Sequence, residues 1–285
     1  MKIGLLGLVW SDWTDVDYNK IRWASELGFH GVGAHLTVPA STITDELAEH
    51  VRKTFADQKM PLLQVWGPYP CIISPDETIR KAGVEGARDL VKMAVKLGIR
   101  ESGVRPTSLN PRGDWFPHRD NYKPETEDCL VKSLVEILQT AEDNDVDIVL
   151  ETHITTTLNS AQTIRRVIER TGSKRLKLNL DPCNFVGDLQ TAFNPAPMIN
   201  ELFDVLGEFI ATVHVKDYYL GEHFVVHISE AVVGTGIMDF DTVLRRAQQA
   251  NPDGYVVIEH LPVNLIPLAK QNLTQKIKDL GLPLG

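Results

Sequence analysis

The chain has 285 residues, 43% hydrophobic and 24% charged, which suits one large α/β domain with a core that needs no disulfides. A formal net charge of −9 argues against a polyanionic partner such as DNA or RNA. No apolar run approaches the roughly 18 residues of a membrane span, and Cys71, Cys129 and Cys183 form no CxxC pair and leave one thiol over, which fits a reducing, cytoplasmic compartment.

Strand-like and helix-like segments then alternate from end to end. The opening MKIGLLGLVWSDW has one Lys and a short apolar run but no small-residue cleavage site, so 2–7 reads as a first strand rather than a signal peptide. Further strands are expected at 31–36, 61–66, 101–105, 146–152, 176–181, 211–216 and 254–260. Between them, 75–97 and 124–143 carry apolar residues at helical spacing: Ala87, Leu90, Val91, Ala94 and Val95 in the first, Leu130, Leu134, Ile137, Leu138 and Ala141 in the second. Ser74-Pro75-Asp76-Glu77 reads as a helix start with Ser74 as cap. Gly28 and Gly98 follow helical runs and suit the left-handed C-terminal position. Two stretches, 106–122 and 217–238, read as long irregular loops leaving the C-terminal ends of strands.

Eight βα repeats in this length predict a single (β/α)₈ TIM barrel over 1–285. An open, doubly wound sheet would show a Gly-rich phosphate loop after an early strand, and none is present. Gly234-Thr235-Gly236 reads as a turn.

Four consecutive late strands each end in a group able to ligate a metal: Glu151, Asp181, His214 and Glu259. Side-chain alternation sets Leu176, Leu178 and Leu180 toward the helices and Asp181 toward the barrel axis. The same argument turns Glu151, His214 and Glu259 inward and His260 outward, as a structural residue. Three converging carboxylates raise one another's pKa, a conflict that a divalent cation resolves. Carboxylates with one imidazole suit Mn²⁺ first, with Mg²⁺, Co²⁺ or Zn²⁺ as alternatives.

The segments VLETH, NLDPCN, TVHVKDY, VGTGIMDF and VVIEH, in that order, resemble the sugar-phosphate isomerase/epimerase superfamily of xylose isomerase-like barrels over essentially the whole chain. The resemblance implies that Glu151, Asp181, His214 and Glu259 hold the metal, and that Glu151 and Glu259 form the acid/base pair of an epimerase. It also implies a homo-oligomer, dimer or tetramer. Ketose 3-epimerases usually carry Asp-x-x-His where this chain has Asp181-Pro182-Cys183-Asn184, and tend to an Arg shortly after the His where it has Lys216 and Asp217. ETHITTTL, 151–158, is closer to the Glu-x-His-x-x-Thr-Leu pattern of dehydratase-type members.

The expected function is therefore a metal-dependent isomerase or epimerase acting on a sugar or keto-polyol through an ene-diolate. The runner-up is a lyase or dehydratase using the same site for β-elimination from a keto-sugar, keto-cyclitol or 3-oxo-glycoside, the last with room for a partner subunit. His153, two residues beyond Glu151, is the expected additional acid/base, because an imidazole titrates near neutrality. Arg105, Lys216 and Asn184 are expected to bind substrate oxygens, with an ion pair to Asp181 or Glu259 as the alternative for Lys216. His118, with Trp115 and Phe116, is expected to close over the substrate, and Trp10 and Trp66 to form an apolar wall. A barrel endonuclease would need further His ligands where the chain has Gln64-Val65-Trp66 and Gly103-Val104-Arg105. A non-catalytic sugar-binding barrel has little reason to keep a complete ligand set.

Overall fold

The computed structural model describes residues 1–285 and forms a closed barrel of eight parallel strands. The barrel strands are β1 (Lys2–Ser11), β2 (Gly31–Leu36), β3 (Leu62–Trp66), β4 (Glu101–Val104), β5 (Asp147–Glu151), β6 (Leu176–Leu180), β7 (Ile210–Val215) and β10 (Tyr255–Ile258). A hairpin of β8 (Asp217–Leu220) and β9 (Ile228–Ala231) follows β7. Outside the barrel run α1 (Tyr18–Glu26), α2 (Asp45–Asp57), α3 (Glu77–Leu97), α4 (Pro124–Asp143), α5 (Ala161–Thr171), α6 (Leu189–Phe193), α7 (Ala196–Leu206), α8 (Phe240–Ala250) and α9 (Ile266–Asp279). β1 pairs with both β2 and β10, which closes the ring and leaves no sheet edge. No helix is long and apolar enough to cross a membrane.

The helices bury the faces that their periodicity marks. In α4, Leu130, Leu134, Ile137, Leu138 and Ala141 are all buried. α3 begins at Glu77, later than the start at 75 that the sequence suggests. Its cap is Asp76, whose carboxylate accepts from the N–H of Thr78 and of Ile79, while Ser74 Oγ accepts from Asp76 N–H outside the helix. Two capping side chains, Ser74 and Asp76, compete there, and the one able to reach two free N–H groups wins. Gly28 and Gly98 take φ of 76° and 70°, as their place after a helix predicts.

Two apolar layers result. The larger lies between strands and helices; the smaller joins Leu6, Trp66, Val149 and Val257. Trp66 and Val149 come from strands that do not pair with those of the other two, so the four meet across the barrel axis. Above them runs a polar chain. Gln64 donates to Glu101 at 2.8 Å and to Thr212 at 3.1 Å, Thr212 bonds to Asn179, and the Asn179 amide lies 2.5 Å from His214 Nε2. Each side chain of this polar chain thereby meets a partner.

The stretch 217–238 is not irregular throughout, because β8 and β9 pair antiparallel within it. Its anchor is the buried Asp217, whose carboxylate accepts N–H bonds from Tyr218 (2.9 Å), Gly234 (2.9 Å), Gly236 (2.8 Å) and Met238 (3.0 Å). The Gly234-Thr235-Gly236 turn is thus the clamp on that carboxylate. Asp217→Ala strands four donors, and a charged hydrogen-bond acceptor contributes about 1.5–3 kcal/mol. The variant should lose roughly 3 kcal/mol in urea unfolding, and its 228–238 amides should exchange faster with D₂O. An unchanged midpoint and exchange pattern would remove Asp217 as the anchor.

Candidate metal centre and active site

Glu151 ends β5, Asp181 and Glu259 follow β6 and β10 by one residue, and His214 lies one residue before the end of β7. One donor atom from each lies within 4.8 Å of the others, and all four side chains are buried. His214 presents Nδ1 to Glu259 Oε1 at 2.9 Å and to Glu151 Oε1 at 3.9 Å, with its Nε2 turned to Asn179. Lys216 Nζ, also buried, sits 2.8 Å from Asp181 Oδ2 and 2.5 Å from Glu259 Oε1, so the ion-pair alternative for this residue holds for both acids at once.

These approaches are close but poorly aimed. Asp181 Oδ2 and Glu259 Oε1 are both buried without an aligned hydrogen bond, although cationic groups stand within 3 Å. Ligands about 2.1 Å from a common ion stand at most about 4.2 Å apart, so small side-chain adjustments would let the four donors share one cation. Hard carboxylate oxygens with one imidazole match Mn²⁺ or Mg²⁺ in type. The residues fit a divalent ion.

Burial, then the neighbouring Glu259 carboxylate, pushes the Glu151 carboxyl up to about 7. For Glu259, burial is overcome by His214 and Lys216, which hold it well below the usual carboxylate range. The two acids are therefore set apart, one near neutrality and one firmly ionised. The sign for stability follows. Glu151 is raised in the folded state, so its contribution is present at pH below its ordinary value of 4.5 and is lost as pH rises through about 7. A cation must displace the Glu151 proton. Calorimetry of Mn²⁺ binding in buffers of different ionisation enthalpy should show clearly more protons released at about pH 6 than at about pH 8, from Glu151 and from His214, which its acidic neighbours raise. Equal release at both would place the proton elsewhere.

Two cavity lobes meet over the cluster. One of about 340 Å³ is lined by His153, Asn184, Lys216, Tyr218 and Glu230. The other, of about 260 Å³, is lined by Trp10, His35, Trp66, Arg105 and Glu259. Trp115, Glu151 and His260 border both, so the two lobes join at the cluster. Together the two lobes reach the size small-molecule sites use, ~300–1,000 Å³. The two long loops supply walls as expected, Trp115 from 106–122 and Tyr218, Ile228, Ser229 and Glu230 from the hairpin. A third groove, of about 320 Å³ beside Asn272 and Lys276, has one buried acid, Asp217, already engaged by four N–H groups.

The structure brings most of the sequence candidates together. His153 lines the larger lobe. Its Nδ1 accepts from Thr155 N–H at 3.1 Å, and burial, then Lys216, lowers it to about 4. It is therefore a neutral ring rather than a group titrating near neutrality, with Nδ1 also 2.9 Å from Thr155 Oγ1. Asn184 lines the same lobe and donates to Thr152 O at 3.1 Å. Arg105 stacks on Tyr69 at 4.8 Å, donates through Nη2 to Gly67 O at 3.0 Å and stands 3.3 Å from Asp114, while its buried Nε has no partner. Trp66 is fixed by Nε1 donating to Gln64 at 3.1 Å, and Trp10 stacks on His35 with rings 4.0 Å apart. His118 is not brought in. It caps the 119–122 turn, accepting from Asp120 N–H at 3.2 Å, and lines neither lobe.

His260 is the main correction to the sequence reading. Alternation sends it outward, but β10 ends at Ile258 and His260 takes φ 60°, which turns its ring into both lobes, 6.0 Å from Trp10. His35 also went unnoticed. It lies two residues past Gly33 in β2, so the alternation that exposed Asp181 was equally available for it.

Residues 21–277 match the family model described as "Xylose isomerase-like TIM barrel". Among solved structures, a D-tagatose 3-epimerase-like protein is 21% identical with a TM-score of 0.75, over 99% of this chain and 98% of that one. A xylose isomerase-like TIM barrel protein from Mycobacterium smegmatis, in complex with magnesium, is 17% identical with a TM-score of 0.74, over 98% and 96%. A 3-keto-D-glucoside 4-epimerase from E. coli is 18% identical with a TM-score of 0.69, over 96% and 98%. At these identities the likeness is one of fold. No curated protein sequence gives a significant match.

Proposed function

The chain belongs to the xylose isomerase-like TIM barrel family, and from that premise we propose that it is a divalent-metal-dependent isomerase or epimerase of a sugar or keto-polyol. The observation that carries this reading is the convergence of Glu151, Asp181, His214 and Glu259 within 4.8 Å at the junction of two cavity lobes. The structural neighbours add support: two are named for sugar epimerisation, and one contains magnesium.

A cation bound there supplies polarisation of a substrate carbonyl and the adjacent hydroxyl, which acidifies the C–H between them. The rest falls to the chain. Glu259, firmly ionised, is suited to take the proton. Glu151, a carboxylate once a cation has displaced its proton, is the second group able to take or return a proton at the junction. Return to the same carbon from the opposite face gives epimerisation; return to the neighbouring carbon gives isomerisation. Arg105 and Lys216, which line the two lobes, would hold substrate oxygens. Trp10, Trp66 and Trp115 offer apolar faces to the C–H side of a sugar and keep water out.

One observation favours the lyase alternative. His153 Nδ1 is engaged by Thr155, which leaves Nε2 to face a departing β-oxygen in the larger lobe. The test is deuterium incorporation from D₂O into ketoses, keto-polyols and 3-oxo-glycosides, followed by NMR with Mn²⁺ present. Exchange with an epimer or isomer as product supports the proposal, and exchange with loss of water or an aglycone selects the lyase. Binding of a sugar with no exchange at all would select the sugar-binding barrel.

A further inference from the structure

Lys216 is unusual among the buried groups of the site because it is a cation among candidate ligands for a cation. Its ammonium touches Asp181 Oδ2 at 2.8 Å and Glu259 Oε1 at 2.5 Å. Those are the two cluster oxygens that lack any aligned hydrogen bond. A divalent ion about 2.1 Å from the same oxygens would stand within a few ångströms of Nζ, a repulsion that burial screens weakly. The two cations compete for one seat. The backbone on either side does not yield easily, since Val215 is buried in β7 and Asp217 is clamped by four N–H groups. The side chain has one open direction, the lobe of about 340 Å³ that it already borders with His153, Asn184 and Glu230.

We propose that Lys216 is an internal counter-cation that holds Asp181 and Glu259 together in the metal-free protein, gives way to the divalent ion, and turns into the larger lobe as a substrate-binding ammonium. The proposal rests on the metal reading of the cluster. Its consequence is an order of events. Metal loading both completes the centre and delivers a cation to the substrate lobe, so a substrate with an oxygen placed for Lys216 binds after the metal. Glu230, across that lobe, is the acid available to the displaced ammonium before substrate arrives. A flexible four-carbon stem with three rotatable donors suits a group that changes partners.

The test compares metal-stripped wild type with Lys216→Met. In calorimetry with Mn²⁺, the variant should bind at least tenfold more tightly, because the competitor is gone. Its metal-free form should melt several degrees below wild type, and Mn²⁺ should raise its melting temperature by more. A lysine that only props up the ligands predicts the reverse, with weaker Mn²⁺ binding in the variant, and that result would overturn the proposal. Since the variant can fail to fold, the wild type supplies an independent readout. Reductive methylation followed by peptide mass spectrometry should find Lys216 protected in the stripped protein and modified at least tenfold faster with Mn²⁺ bound. Equal or slower modification with Mn²⁺ bound also overturns it. Failure of wild type to bind Mn²⁺, Mg²⁺, Co²⁺ or Zn²⁺ at all is a different outcome, and sinks the metal reading itself.

Discussion

Glu259→Gln should lower metal-supported proton exchange on the true substrate by at least about 10³-fold, the upper part of the range for loss of a positioned acid or base. Three physical losses coincide in this one change. The amide cannot accept the substrate proton. It removes one of three carboxylates from the candidate centre, which weakens hold on a hard cation. It also puts an NH₂ group or a neutral oxygen against His214 Nδ1 at 2.9 Å and the Lys216 ammonium at 2.5 Å, so two buried donors each lose one of two acidic partners. Exchange rate and bound metal should be measured on the same sample. If metal content stays at one per chain and the rate falls, Glu259 acts mainly on the proton; if both fall, its first task is the metal. A rate within tenfold of wild type would remove Glu259 from the chemistry.

Gly103→Ala should be the most damaging small substitution outside the cluster. A Cβ at Gly103 would lie 2.0 Å from Trp66 Cδ2 and 2.2 Å from Cε2, inside the indole. The ring cannot slide away freely, because its Nε1 donates to Gln64 at 3.1 Å and it packs across the axis with Leu6, Val149 and Val257. Overpacking typically costs about 1–3 kcal/mol, and so deep an overlap belongs at or above about 3 kcal/mol. The variant should show an earlier urea midpoint and altered Trp fluorescence, together with weaker substrate binding through the smaller lobe that Trp66 walls. Wild-type stability would mean that β3 or β4 can shift without cost.

These expectations draw on two kinds of legibility. The strands could be read because alternation and burial are local. Leu176, Leu178 and Leu180 declare one face of β6, and Asp181 follows on the other. Glu151, His214 and Glu259 were found by the same logic, and the structure groups them with Asp181. The rule failed where the chain stopped being a strand. His260 comes after β10 has ended, with φ 60°, and alternation has nothing to say of it. The β8–β9 hairpin has only four residues per strand, too few for an apolar period to mark it, and Asp217 ties it to the turn that follows. The chain from Gln64 through Thr212 and Asn179 to His214 joins residues up to 148 positions apart, which only barrel closure brings together. His153 lines the larger lobe, but its protonation depends on burial and on its contacts to Thr155, neither of which spacing reveals.

The most direct test of the central claim is anomalous X-ray diffraction at the manganese edge from crystals of the protein grown with Mn²⁺. The account predicts one strong anomalous peak per chain within about 2.0–2.3 Å of oxygens of Glu151, Asp181 and Glu259 and of His214 Nδ1. A peak elsewhere, or none at saturating Mn²⁺, would contradict it and leave the cluster as a buried ion-pair network around Lys216.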